Sequence, residues 1–383
     1  MLLVFQGGMR ILHVYAGPFP SHQGTQVYLR GLLGALAERG HQVALRCWHG
    51  GSGPVPEGVD VRRLRPTMGG ERLTSGPHSS RLPLGMALWR ALRQDLREPW
   101  DVVHAHHVEA PLIARLCGAT PLVHHLHTSL AEELPTYASA KAALGGPGSV
   151  AAGAVLDRAC VRAADAVVAL SDRGQSLARR WGASRVMSLP PGLERLTGDA
   201  ERGRERFGIE DRPWVAYIGN LDAYQDLGAW LEQAADAGCP VLLVTPDDPA
   251  ERLRGVRLPE HLAVARTRDF SEQLDALACA AVAVVPRRRC AGVPMKLMTS
   301  LGMGLPTLCV QGAVDPWPGS IQATPAELCR AANALRLDPM RLQRLRESAD
   351  RNLKAGTWAD RACELEAFYA YLQAVVTPRS TRS

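Results

Sequence analysis

Between Val284 and Gly312 the chain gathers the residue types that hold an anion. Arg287, Arg288 and Arg289 run into Cys290, Ala291 and Gly292, and Lys296 follows Pro294 by two positions. Lys296 is conspicuous, because only Lys141, Lys296 and Lys354 occur among 44 basic residues. The flanking pattern reads as an apolar strand at 282–285, a basic loop at 287–294, a helix at 295–303 and a buried strand at 307–310. Such a loop aims backbone N–H groups, Arg287, Arg288, Arg289 and Lys296 at whatever sits over the helix N-terminus, and that place suits a phosphate.

Histidines form the second group. The apolar run at 101–107 ends in His104, His106 and His107, and the run at 121–129 carries His124, His125 and His127. Alternation along a strand puts His125 and His127 on one face and His124 on the other, so this strand supplies no third ligand on that face and no metal is expected. Cys290 is the one thiol in the basic loop. The nine cysteines are scattered and mostly lie in apolar runs, the usage of reduced core thiols in a cytoplasmic protein.

The elements that must position these groups read as a repeated plan. A strand at 10–16, a loop with Gly17, Pro18, Pro20 and Gly24, a helix at 26–39 and a strand at 41–47 begin a doubly wound sheet, whose ligands sit at the carboxyl ends of its strands. The loop from Ser21 to Thr25 therefore faces the cleft. Further strands read at 59–64, 166–171 and 186–189, with helices at 84–96, 155–164 and 173–181 and a glycine loop at 145–148. Arg90, Arg93 and Arg97 share one face of the 84–96 helix, which reads as a solvated face rather than a lipid contact. Pro190-Pro191-Gly192 breaks regular structure and marks a domain boundary.

After that break, a strand at 214–219 enters a loop at 220–225, with a helix at 227–237, strands at 241–245 and 262–265, and a helix at 273–280. Helices at 325–335, 339–354 and 358–375 follow. The expected organisation is a first Rossmann-like domain at 9–192, a second at 193–356 and a closing helix at 357–376 that packs back on the first, with residues 1–8 and those from Thr377 outside the fold. Two such domains facing a cleft can close on a two-part ligand and exclude water.

Length and composition agree with this plan. A chain of 383 residues can build two cores, and 46% hydrophobic with 21% charged residues is a globular balance. No apolar run reaches the ~20 residues of a membrane span, and the opening Met1–Phe5 is too short for a signal peptide. Up to Arg195 there are 21 basic and 14 acidic residues, net +7, and the remainder is net −1. The excess positive field of the first half points to an anionic partner or membrane surface there, and the lack of aromatic-basic clusters argues against nucleic acid.

Gly292-x-Pro294-x-Lys296-Leu297, followed by Gly304-Leu305-Pro306 and a run ending in Gly312, resembles the donor-binding segment of family-4 glycosyltransferases, which have the GT-B fold. Arg10-Ile-Leu-His-Val with Gly24-Thr25, Asp101-Val-Val-His-Ala-His, Ala164-Asp-Ala-Val-Val-Ala-Leu-Ser171 and Pro191-Gly192 are similar to other recurrent segments of that family, in the same order. The resemblance implies an α/β fold of two Rossmann-like domains. It also implies a retaining, metal-independent transfer of a sugar from a UDP- or GDP-linked donor to a hydroxyl of a lipid-linked or glycan acceptor, with the sugar nucleotide as substrate and no cofactor.

Carried over residue by residue, the resemblance gives His127 as the histidine that contacts the transferred sugar and Lys296 as the catalytic cation. Gly219, Asn220, Gln225, Arg287, Arg289, Gly292, Val293, Pro294 and Thr299 surround the donor, and Gly24 and Thr25 form the acceptor-side loop. The family's two donor-holding glutamates correspond to Ala291 and Thr299, and its two diphosphate cations to Asn220 and Gln225. Arg287, Arg288, Arg289 and Lys296 are the available replacements. These four altered positions motivate an alternative, an inactive scaffold that binds a nucleotide sugar or a protein partner without turnover. The implied setting is cytoplasmic, with a peripheral contact between the basic first domain and the inner face of the membrane.

Overall fold

The computed structural model describes residues 7–20, 24–51, 53–66, 81–138, 147–222, 225–290 and 292–376. They form two compact units, the first running to Gly192 and resuming at Trp358, the second spanning Leu193–Thr357. Each is a Rossmann-like parallel sheet flanked by helices.

The first unit orders its strands β3-β2-β1-β4-β5-β6-β7, with β1 Arg10–Pro18, β2 Gln42–Trp48, β3 Val59–Arg63, β4 Val102–His106, β5 Leu122–Leu126, β6 Ala166–Ala169 and β7 Val186–Ser188. The central strands β1, β4 and β5 are almost wholly buried, as expected of parallel strands covered on both faces. Helix α1, Gly24–Glu38, turns Tyr28, Leu29, Leu32, Leu33 and Leu36 inward. The last helix of the chain, Trp358–Val376, packs beside α1, and a Cβ on Gly31 would lie 2.2 Å from the Trp358 ring, so only glycine admits the indole there.

Several local expectations change. Gly24 and Thr25 lie within α1 rather than in a loop, and Ser21–Gln23 lie outside the described residues. Helix α2, Arg81–Asp95, includes Arg81, Leu82 and Pro83, which precede the helix expected at 84–96. Between β4 and β5 the short helix α3, Glu109–Leu116, was not legible, with Pro111 near its start. Helix α4 is Leu130–Ala138, and α5, Pro147–Ala163, takes up Pro147 and Gly148 of the expected glycine loop, while Gly145 and Gly146 lie outside the described residues. Helix α6 is Asp172–Arg180, and no helix among the described residues is long and apolar enough to cross a membrane.

The second unit opens with α7, Ala200–Phe207, another helix absent from the sequence reading; Asp199 caps it by accepting from the Glu201 and Arg202 N–H groups. Its sheet runs β10-β9-β8-β11-β12-β13, with β8 Trp214–Ile218, β9 Val241–Thr245, β10 Leu262–Arg266, β11 Ala280–Val285, β12 Thr307–Val310 and an unforeseen edge strand β13, Ser320–Ala323. Helices α8, Leu227–Asp236, α9, Pro249–Arg252, α10, Phe270–Leu277, α11, Met295–Gly302, α12, Leu328–Leu335, and α13, Pro339–Ala355, complete it. Ala280 belongs to β11 rather than to the helix expected at 273–280.

Candidate functional site

In the second unit the strand order sets β8 beside β11, so the loop after β8 and the loop between β11 and α11 emerge together. Gly219 follows β8 at φ 127°, a conformation that only glycine adopts without strain. Lys296 is the second residue of α11, and helical side chains lean toward the N-terminus. Its ammonium therefore reaches back across the β8 loop, donating to the Tyr217 hydroxyl at 2.9 Å and to Gln225 Oε1 at 2.8 Å, over the Tyr217 ring. A Cβ on Gly219 would meet Lys296 Nζ at 3.2 Å.

The loop itself is braced. The Gln225 amide donates to Asn220 Oδ1 at 2.6 Å, the Asn220 amide to Asp222 at 2.7 Å, and the Leu221 N–H to Asp247 at 2.7 Å. Lys296 is half-buried, and desolvation is the main cause that pulls its pKa down to about 7; Arg287 adds to the fall, while Cys290 and Asp222 oppose it. Asn220 and Gln225 carry no charge, yet a cation is delivered to this loop from α11.

The expected cation set divides. Lys296 turns inward, Arg287 is half-buried, and Arg288 and Arg289 are exposed. The Arg288 N–H donates to Asp226 at 2.9 Å, which ties the basic loop to the N-terminus of α8. Gly292, Val293 and Pro294 lead half-buried into α11, whose start has no side-chain cap, leaving first-turn N–H groups to meet an anion. Thr299 commits its hydroxyl hydrogen to the Met295 carbonyl at 3.1 Å. Ala291 lies outside the described residues, and Cys290 is buried in the core. Tyr217, Asp222 and Asp226 were missed by the sequence reading; Tyr217 shares a strand face with the position of Gly219, a signal visible only once the strand is placed.

In the first unit His127 follows β5 and is buried. Asp157 of α5 anchors the segment beyond it, accepting from the Ser129 hydroxyl at 2.9 Å and from the Leu130 and Ala131 N–H groups at 3.1 Å. The strand at 121–129 supplies no third ligand to His125 and His127 on its own, but neighbouring β4 does, through His106. Register sets His13 of β1 against His104, and His106 against His125, so three strands distant in sequence bring their imidazoles to one face. His13, His104 and His106 form one group with converging ring nitrogens, and His106, His125 and His127 another.

His106 bridges His13 and His127 with ring nitrogens 2.9 Å apart on each side. His104 bonds His125 at 3.0 Å and meets the Tyr369 hydroxyl. Burial holds all of these rings neutral: the His13 pKa falls to about 3, and those of His104, His106, His125 and His127 lie well below the ordinary value. His127 spends Nε2 on His106, so Nδ1 is the nitrogen left for a sugar hydroxyl. His124, on the other face, falls to about 4 through burial. Thr25 Oγ1 lies 3.4 Å from His107 Nε2, which joins the start of α1 to the end of β4.

Residues 23–192 match the family described as glycosyl transferase 4-like domain. No curated protein matches the chain. Among solved structures, sucrose-phosphate synthase of Thermosynechococcus elongatus is similar at a TM-score of 0.75 and 17% identity, over 95% of this chain and 99% of that one. Anabaena HepE, in complex with UDP and glucose, gives 0.68 and 15% over 94% and 99%. The catalytic domain of starch synthase IV from Arabidopsis thaliana, bound to ADP and acarbose, gives 0.67 and 14% over 96% and 100%. At such identities the likeness establishes the fold, which is GT-B.

Proposed function

We propose that this chain is a retaining glycosyltransferase that moves a sugar from a UDP- or GDP-linked donor to a hydroxyl of a lipid-linked or glycan acceptor, without metal at the diphosphate. The observation that carries the reading is Lys296, held between Gly219 and the uncapped start of α11 by Tyr217 and Gln225. A departing diphosphate develops charge on its oxygens, and preorganised donors at that place stabilise it. Lys296, the first-turn N–H groups of α11, Arg287 and Arg289 are those donors, with Gly292, Val293 and Pro294 shaping the approach. Gly219, Asn220 and Gln225 form the floor. Thr299 would meet the sugar or ribose by accepting a hydrogen bond.

His127 offers Nδ1 to a hydroxyl of the transferred sugar, and Gly24 and Thr25 border the acceptor. The matched domain family and the donor complexes of the similar structures, such as HepE with UDP-glucose, support a nucleotide-sugar substrate. In the cytoplasmic setting proposed here, exposed Leu82 and Met86 on α2 turn the arginine face that reads as solvated from sequence into one that fits a peripheral contact with an anionic membrane, through Arg90 and Arg93 on the same helix. The absence of carboxylates at Ala291 and Thr299 favours the second reading, a scaffold that binds a sugar nucleotide without turnover. Incubation with a panel of UDP- and GDP-sugars separates the two: donor consumption that is lost in Lys296→Met supports transfer, and binding with complete silence supports the scaffold.

A further inference from the structure

The imidazole array of the first unit does more than one sugar contact requires. It buries His13, His104, His106, His125 and His127 on one side of three adjacent strands, an arrangement expensive to keep unless the ring nitrogens are used. Two are left over: His13 Nε2 and His125 Nε2 are buried with no hydrogen-bond partner. We propose that His106, His125 and His127 form a three-imidazole site for a borderline transition-metal ion, with Zn²⁺ as its natural occupant.

The proton accounting supports this assignment. A neutral imidazole carries one N–H and one lone pair. With His106 Nδ1 and His125 Nε2 as ligands, the N–H of His106 sits on Nε2 and donates to His13 Nδ1, and that of His125 sits on Nδ1 and donates to His104 Nε2, contacts already formed at 2.9 Å and 3.0 Å. His104 then donates from Nδ1 to the Tyr369 hydroxyl, the contact it makes now. His127 binds through Nε2 and keeps its N–H on Nδ1. These partners fix tautomer and ring orientation, as outer contacts do in histidine metal sites.

Only the hydrogen bond between His106 and His127 is surrendered. Its nitrogens, 2.9 Å apart, need to separate to about 3.3 Å, the spacing of two nitrogens each 2.0–2.1 Å from a tetrahedral ion. The His125 and His127 rings, 4.4 Å apart and 18° from parallel, must also turn toward a common point, a motion about the soft ring torsion. Three neutral nitrogen ligands with no carboxylate suit Zn²⁺ and exclude Mg²⁺ and Ca²⁺. The proposal does not rest on the transferase reading.

The untagged full-length chain, stripped with a chelator, is titrated with Zn²⁺, and separately with Co²⁺, whose visible absorption reports four-coordinate binding. One equivalent retained through desalting is expected, with the intense Co²⁺ band. His106→Gln and His125→Gln should each weaken uptake at least tenfold, and His124→Gln, on the opposite face, should not. Circular dichroism without metal checks folding; should a ligand variant fail to fold, His13→Gln, which removes only the partner of His106, should cost 10–100-fold in affinity. Failure of the wild-type chain to hold an equivalent, or uptake unchanged in the folded variants, overturns the site. Because no sugar nucleotide is used, that failure leaves the transferase reading untouched.

Discussion

In the proposed transferase, Lys296 would make donor binding a proton-linked event. With its pKa lowered to about 7 by burial, roughly half of the molecules carry the ammonium at pH 7 and about 3% at pH 8.5. If a diphosphate is accepted only by the charged form, the apparent Kd rises in inverse proportion to that fraction, about sixteenfold between the two pH values. Calorimetric titration with UDP-glucose and GDP-mannose measures this cleanly, since neither diphosphate diester ionises in that range. Proton uptake from the buffer should accompany binding at pH 8. Lys296→Met should flatten the profile and weaken binding at pH 7 at least tenfold, because a charge-assisted contact contributes about 1.5–3 kcal/mol. A wild-type affinity that is constant from pH 7 to 8.5, or a Lys296→Met variant that binds as well as wild type, would refute the role. The sign for stability is opposite: the unfolded chain holds this proton up to the ordinary lysine value of 10.5, so this group's contribution to stability grows as pH rises from about 7 toward that value.

His127→Ala should lower kcat by at least tenfold with a smaller change in donor affinity, read by steady-state kinetics and calorimetry; equal losses in both would point to misfolding instead. Gly219→Ala forces a side chain onto a φ of 127° and against Lys296 Nζ, and should cost about 1–3 kcal/mol in urea unfolding together with donor binding. Gly31→Val drives a side chain into the Trp358 ring, and overpacking of about 1–3 kcal/mol should appear as a lower Tm for the first unit. Wild-type melting behaviour in Gly31→Val would show that the indole can move aside.

Much of the fold was present in the order of residues. The strand of β1, the periodic face of α1 and the unit from β11 through α11 to β12 are local patterns, set by alternation and helical spacing within a few residues. The rarity of lysine was enough to single out Lys296. What it holds was not readable, because Tyr217 and Gln225 are more than 70 positions away and meet it only through the adjacency of β8 and β11. Helices α3 and α7 escaped for want of a strong apolar period, and the cap of α7 decides its start. The histidines show the division most plainly. Each strand displayed its own imidazoles, and the register of β1, β4 and β5 was needed to stack them on one face as two hydrogen-bonded chains, His13 to His106 to His127 and His125 to His104 to Tyr369. Sequence thus determined which groups were available, and the parallel pairing of distant strands, fixed by burial of both sheet faces, decided which of them share a site.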